Sequence, residues 1–441
     1  MEGSENRKPN AERDQLLRAL QQYADAPELA NDDDQLKGLI AKIYKNARKQ
    51  RRKESAGQIK SADLQKKSQS ELFRTNDEFQ KGKQESQNFQ PEQLQRSQKC
   101  YCCKVSYREV HFFYHRICPE CAAFNYAYRS LTCDLTGYKA LLTGGRIKIG
   151  FETALKLLRS GCEVYTTTRF PNDALKRYAG QHDYSEWKDR LFIYGLDLRN
   201  IPEVRRFIAY LSHEVVSLDI IINNAAQTIK RPLAFYRELI AGEQKNFLLE
   251  SHKESLPSVG NVNFPQGVYD KHDQQVDLRP ANSWSSKLTD VGVEEMLEIQ
   301  LVNVTAPFLL NAGLKPLLKH SSNDHKFIVN VSAMEGQFNR ENKTVFHPHT
   351  NMAKAALNMM TRTSAEDYAR DGIYMTSVDT GWITDENPAP KREKLRSQGF
   401  VPPLDVIDGA SRVFAPIADG INNPESIQYG VFLKDYKTTD W

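Results

Sequence analysis

From about Thr136 onward, short apolar runs alternate with helix-length amphipathic stretches: KALLT at 139–143, EVYTTT at 163–168, RLFIYGL at 190–196, LDIIIN at 218–223, KFIVNVS at 326–332, IYMTSV at 373–378 and QYGVFL at 428–433. Strands that are apolar throughout, rather than at every second position, are covered on both faces. The pattern therefore predicts an α/β domain with a doubly wound, parallel sheet of the Rossmann kind. Right-handed crossovers then place ligand contacts at the carboxyl ends of the strands.

The chain before this domain has a different texture. Between Asp32 and Lys53, Leu36, Leu39, Ile40, Ile43 and Tyr44 recur at spacings of three and four, with Asp32 to Asp34 as N-caps and a basic end at Arg48 to Lys53. This predicts one amphipathic helix, whose stripe lies on the domain behind it, docks a protein partner or rests on a membrane surface. From Glu54 to Lys99, Gln, Ser and Lys dominate and β-branched residues are few, so a linker or loosely held helix is expected. The resulting division is a polar helical arm and linker at 1–99, a small cysteine-bearing segment at 100–135 and the sheet domain at 136–441. A polar insertion at about 227–281 serves as a lid or as a surface loop.

Composition narrows the partners. The 441 residues suffice for two or three folding units, and a formal charge of only +4 disfavours nucleic acid as a partner. No apolar run approaches the length that spans a bilayer, and the start, MEGSENRKPNAERD, lacks the apolar core of a secretory signal, so an intracellular, cytoplasmic setting is expected.

The seven cysteines are not spread as a disulfide framework. Cys100 and Cys103, then Cys118 and Cys121, form two tight pairs fourteen residues apart, which is chelating spacing for one tetrahedral zinc ion in a ribbon-like segment. Cys102 competes with Cys103 for a place. Four protein ligands leave no open position for water or substrate, so the zinc should be structural. The aromatics Tyr101, Tyr107, Phe112, Phe113 and Tyr114 are expected to supply this small segment's core, with base stacking the disfavoured alternative.

Strand 139–143 runs directly into TGGRIKIG at 143–150 and an amphipathic helix. Glycine permits a sharp turn and close approach to a pyrophosphate, and the helix N-terminus offers unpaired N–H groups. With this loop, GLDL at 195–198 and NNAA at 223–226 the chain resembles the short-chain dehydrogenase/reductase family from about Thr136 to Tyr436. The family's glycine loop looks like Thr143, Gly144 and Gly150, with Lys148 where a middle glycine would stand. The resemblance implies that Asp197 contacts adenine and that Asn224 belongs to the cofactor site. Arg169, following strand 163–168, stands where the family distinguishes its cofactors, so NADP(H) is expected, with NAD(H) the alternative.

Family members place Asn, Ser, Tyr and Lys around the carbon that exchanges a hydride with nicotinamide. Asn303 in LVNVTAPF, Ser332 and Lys354 in AKAAL resemble three of them, Lys354 also serving the cofactor's ribose; Thr350 stands where the Tyr of YxxxK would be. A threonine hydroxyl is too weak an acid to replace a tyrosine. His347 and His349, in FHPHT, titrate in the useful range and are the candidate replacements. In the loop that closes over the cofactor, TGWITDEN carries Thr380 for the family's Pro and Asp385 where a Thr would fall. The leading expectation is an NAD(P)(H)-dependent oxidoreductase acting on a small hydroxyl or carbonyl substrate, and a homo-oligomer is compatible with the resemblance. The rival is an inactive nucleotide-binding scaffold that uses the cysteine segment or N-terminal helix to bind a protein.

Overall fold

The computed structural model describes residues 11–30, 33–75, 92–243, 262–340 and 343–441. They form two compact units divided in sequence between Gln65 and Lys66. The helix expected over Asp32–Lys53 runs as Asp34–Ser68, its last three residues falling in the second unit. It continues past the apolar stripe because the following Gln, Lys and Ala residues are good helix formers, and only Gly57 interrupts them. Leu36 N–H donates to Asp33 Oδ1 at 2.8 Å, as a cap should, whereas Asp32 lies outside the described residues.

The second unit contains the cysteine segment and the sheet. Part of the stretch expected to be linker is strand β1 (Gln93–Lys99), which pairs antiparallel with β2 (Ser106–Glu109). Only Leu94 of β1 is buried, so the strand exists through pairing and leaves almost no apolar signature. The helix Pro119–Arg129 follows, with Cys118 at its N-cap position.

The main sheet comprises β3 (Lys139–Thr143), β4 (Glu163–Thr168), β5 (Leu191–Gly195), β6 (Ile220–Asn223), β7 (Lys326–Ser332), β8 (Ile373–Asp379), β9 (Phe432–Lys434) and β10 (Lys437–Thr439). Their order is β10-β9-β8-β7-β6-β3-β4-β5, parallel except for β10. The fold is therefore the expected doubly wound α/β Rossmann arrangement. Ala140, Leu142, Ile220 and Ile222 face one core with the helices Lys148–Arg159 and Val406–Asn422; Leu141 and Ile221 face the other with Ile201–Glu214 and Ala306–His320. Two cores on two faces explain why the strands read as unbroken apolar runs. The last run is shortened to Phe432–Lys434, after Gly430 takes a left-handed conformation (φ +65°).

The expectation that no stretch reaches bilayer length does not hold for one helix. The continuous helical stretch Val293–His320 is long and apolar enough to cross a bilayer by length and composition, and 44% of its apolar window is buried. Leu310, Leu314 and Leu317 on this stretch belong to the sheet's second core.

Candidate functional site

The strand order reverses between β3 and β6, and there the chain ends of the strands open onto a cavity of about 1340 Å³. After Thr143 the backbone turns through Gly144 at φ +74°. A methyl group added at Gly150 would lie 2.2 Å from the Gly144 carbonyl oxygen and 2.5 Å from Asn224 Nδ2, so no other residue fits. Asn224 fastens the turn by donating from Nδ2 to the Thr143 carbonyl at 3.0 Å. Thr143 Oγ1 in return accepts from the N–H groups of Asn224 and Ala225, at 3.1 and 3.0 Å. No side chain caps the helix Lys148–Arg159, and Lys148, Ile149 and Gly150 line the cavity with their first-turn positions.

Arg169, just past β4, lies over the Tyr236 ring at 4.5 Å and also lines the cavity. Tyr236 comes from the described part of the insertion, residues 227–243 and 262–281; the rest lies outside the described residues. Asp197 is gripped by Arg199, whose Nη2 is 2.5 Å from Oδ2. Burial alone would raise the Asp197 pKa, but the hydrogen bonds and charge of Arg199 hold it below the usual carboxylate range.

At the other end of the cavity β7 and β8 deliver Ser332 and Asp379, which are register partners. Ser332 Oγ donates to the Lys354 carbonyl at 3.4 Å, and Lys354 Nζ donates to the Val331 carbonyl at 2.8 Å. Burial draws the Lys354 pKa down to about 8, opposed by Glu335 and Asp379. Burial likewise pushes Asp379 up to about 6, reinforced by Glu335 and Asp435 and opposed by Lys434 and Arg412. Thr350 faces the cavity with a buried hydroxyl that has no hydrogen-bond partner.

The two candidate histidines part company. His347, left-handed at φ 43°, stacks on Trp284 with centroids 4.0 Å apart, pairs its Nδ1 with Asn351 Oδ1 at 3.0 Å and lines the cavity. His349 is buried behind the wall, with Nε2 3.2 Å from Glu295 Oε1. Asn303 also stands behind the wall, in a π-helical turn over Leu301–Thr305. It clasps the Gln227 backbone by accepting at Oδ1 (2.7 Å) and donating from Nδ2 (3.1 Å). The cavity wall thus gathers Gly144, Lys148, Gly150, Arg169, Asp197, Asn224, Ser332, His347 and Lys354, with Thr143, Asn303 and His349 behind it.

Arg146, Glu335, Asp379 and Tyr101, none of them expected at the cofactor or substrate site, also line the cavity. Asp379 had a signal: an acid at the carboxyl end of a parallel strand sits where ligands bind. Tyr101 had none, since its place depends on how the cysteine segment packs.

The ligand atoms of Cys100, Cys103, Cys118 and Cys121 all lie within 4.8 Å of one another, an arrangement that can hold a metal ion. Cys118 N–H donates to Cys100 Sγ at 3.3 Å, which favours the thiolate form. Cys102 is outside this group; its Sγ faces Asp435 Oδ1 at 3.5 Å. His111 accepts from the Phe113 N–H, and burial lowers the pKa of His115 to about 3, as packed histidines would show.

A profile described as short chain dehydrogenase matches residues 138–239, and one described as Enoyl-(Acyl carrier protein) reductase matches 280–397. An uncharacterized protein of Acanthamoeba polyphaga mimivirus is 36% identical over 341 residues, covering 72% of this chain and 71% of the relative. A WW domain-containing oxidoreductase of Drosophila melanogaster is 34% identical over 95 residues, 21% of this chain and 23% of that protein. Among solved structures, an NADPH-bound carbonyl reductase from chicken fatty liver aligns at TM-score 0.45 and 18% identity over 69% of this chain and 99% of its own. A Burkholderia cenocepacia short chain dehydrogenase in complex with NADP aligns at TM-score 0.46 and 20% identity over 68% and 96%. The chain belongs to the short-chain dehydrogenase/reductase family, a family of oxidoreductases.

Proposed function

We propose that this protein transfers a hydride between NADP(H) and a hydroxyl or carbonyl carbon of a small molecule, with NAD(H) the weaker cofactor. The observation that carries the reading is one cavity joining a glycine-tight turn and uncapped helix N-terminus, Gly144 to Gly150, to Ser332 and Lys354. The tight turn that only glycine at position 150 permits, and the cationic Lys148 and Arg169 in the same cavity wall, fit a dinucleotide with an extra phosphate. When bound, the cofactor's nicotinamide supplies the hydride acceptor or donor. Asp197 would support the cofactor's adenosine side, Asn224 would hold the Thr143–Gly144 turn against it, Arg169 would meet its 2′-phosphate, and Lys354 its ribose hydroxyls.

On the substrate side, His347 takes the role that a tyrosine at position 350 would have. It lies in the wall, whereas His349 is engaged with Glu295, so His347 is the better placed of the two to give a proton to a developing alkoxide. Ser332 would rotate from the Lys354 carbonyl to hold the substrate oxygen, and Asn303 would fix the Gln227 backbone behind the site. Consumption of NADPH with a panel of ketones, aldehydes and quinones tests the reading. Binding of NADPH with no turnover on any of them would favour the scaffold reading instead.

We also propose that Cys100, Cys103, Cys118 and Cys121 hold one structural zinc ion, because four sulfurs at this spacing satisfy a tetrahedral ion without leaving an open position. Metal analysis of the purified chain should return about one zinc per molecule.

A further inference from the structure

We propose that the four-cysteine turn builds one wall of the cavity, with Tyr101 as the positioning residue that holds the loop 380–387, so that metal occupancy controls the nucleotide site. The metal part rests on the zinc reading above; the role of Tyr101 does not.

Tyr101 lies between Cys100 and Cys103, and its Oη accepts from the Trp382 N–H at 2.8 Å. Its own N–H donates to the Arg116 carbonyl at 2.9 Å, which fixes the ring to the turn. The loop is shaped to receive it. Gly381 has φ +81°, and a methyl group there would lie 2.5 Å from Leu404 Cδ1 and 3.4 Å from Tyr101 Oη. Tyr101 and Lys104 line the cavity beside Trp382, Ile383 and Thr384.

The core under the cysteines is shared with the nucleotide site. Cys100 and Cys118 cluster with Ile383 and Leu404, and Ile149, from the first turn of the helix Lys148–Arg159, packs against the same group. A second tether runs through the helix that starts after Cys118. Its Arg129 forks onto Asp405 at 2.7 and 3.0 Å and reaches Asp408 at 3.0 Å, pinning the start of Val406–Asn422, and Val406 is itself in the cavity wall. Each end of the metal-holding segment therefore terminates on a piece of the cavity. Without an ion, the sulfurs on either side of Tyr101 lose their common partner, and the Trp382 amide loses the fixed acceptor that orders the loop.

Hydrogen exchange of the full chain, read on peptides containing Trp382, tests this alongside metal content and NADPH titration. Tyr101→Phe removes only the acceptor; it should keep its metal, exchange about 3- to 10-fold faster at Trp382 and bind NADPH about 3-fold or more weakly. Chelation of the wild type should produce the same acceleration, reversed by adding Zn²⁺. Wild-type exchange at Trp382 in both Tyr101→Phe and the chelated protein would overturn the proposal. Purified protein without metal would overturn the metal control together with the zinc reading, while Tyr101→Phe would still decide whether the turn holds the loop. If NADPH does not bind at all, the nucleotide reading falls and the exchange measurement still decides.

Discussion

Ser332 and Asp379 stand opposite each other as register partners at the carboxyl ends of β7 and β8, a hydroxyl and a buried carboxyl sharing one end of the cavity. Asp379 Oδ1 accepts from the Met334 N–H at 3.2 Å, a bond that asparagine can keep. Because burial raises its pKa from 3.8 to about 6, the folded protein binds more protons than the unfolded chain between those values. Stability is therefore lost as pH rises through that window. Asp379→Asn should be more stable than wild type at pH 7.5, by about 1–3 kcal/mol, with the difference gone near pH 4. Denaturant unfolding at the two pH values checks this.

Much of this arrangement was legible in the sequence. Alternation of Leu141 with Ala140 and Leu142 between two cores produces the unbroken apolar runs that announced a parallel sheet. Thr143, Gly144 and Gly150 were readable because only glycine meets the close approach at position 150. The strand β1 was not, since it buries only Leu94 and depends on pairing with β2, not on its own pattern. The choice between His347 and His349 was also closed to sequence, because it turns on contacts with Trp284 and Glu295 from distant segments.

Gly150→Ala should be severe. The new methyl would sit 2.2 Å from the Gly144 carbonyl oxygen, so the turn must open or the helix must shift. A stability loss of about 1–3 kcal/mol is expected, with nucleotide binding abolished. Thermal unfolding with and without NADPH reads both effects.

Cys118→Ser removes one of the four sulfurs and puts a hydroxyl in place of a buried thiol in the core that also contains Ile383 and Leu404. Since that core joins the cysteine segment to the loop of the cavity, the variant should lose its metal and lower the unfolding midpoint of the whole unit Lys66–Trp441, rather than melting a separate ribbon. Calorimetry showing an unchanged main transition would contradict this.

His347→Gln should lower turnover by about 100- to 10,000-fold while leaving NADPH affinity intact. His349→Gln should cost about 10-fold or less, through its contact with Glu295 alone. Burial lowers the His347 pKa, so carbonyl reduction should fall as pH rises through a value below the ordinary histidine pKa of 6.5. The pH profile of turnover in wild type and both variants separates the two residues.

Titration of the wild-type chain and Arg169→Ala with NADPH and NADH shows whether the cavity is an NADP(H) site. Wild type should bind NADPH more tightly than NADH, and Arg169→Ala should lose about 1.5–3 kcal/mol of NADPH affinity with little change for NADH. Failure of NADPH to bind wild type, or equal losses for both nucleotides in Arg169→Ala, would contradict an NADP(H) site.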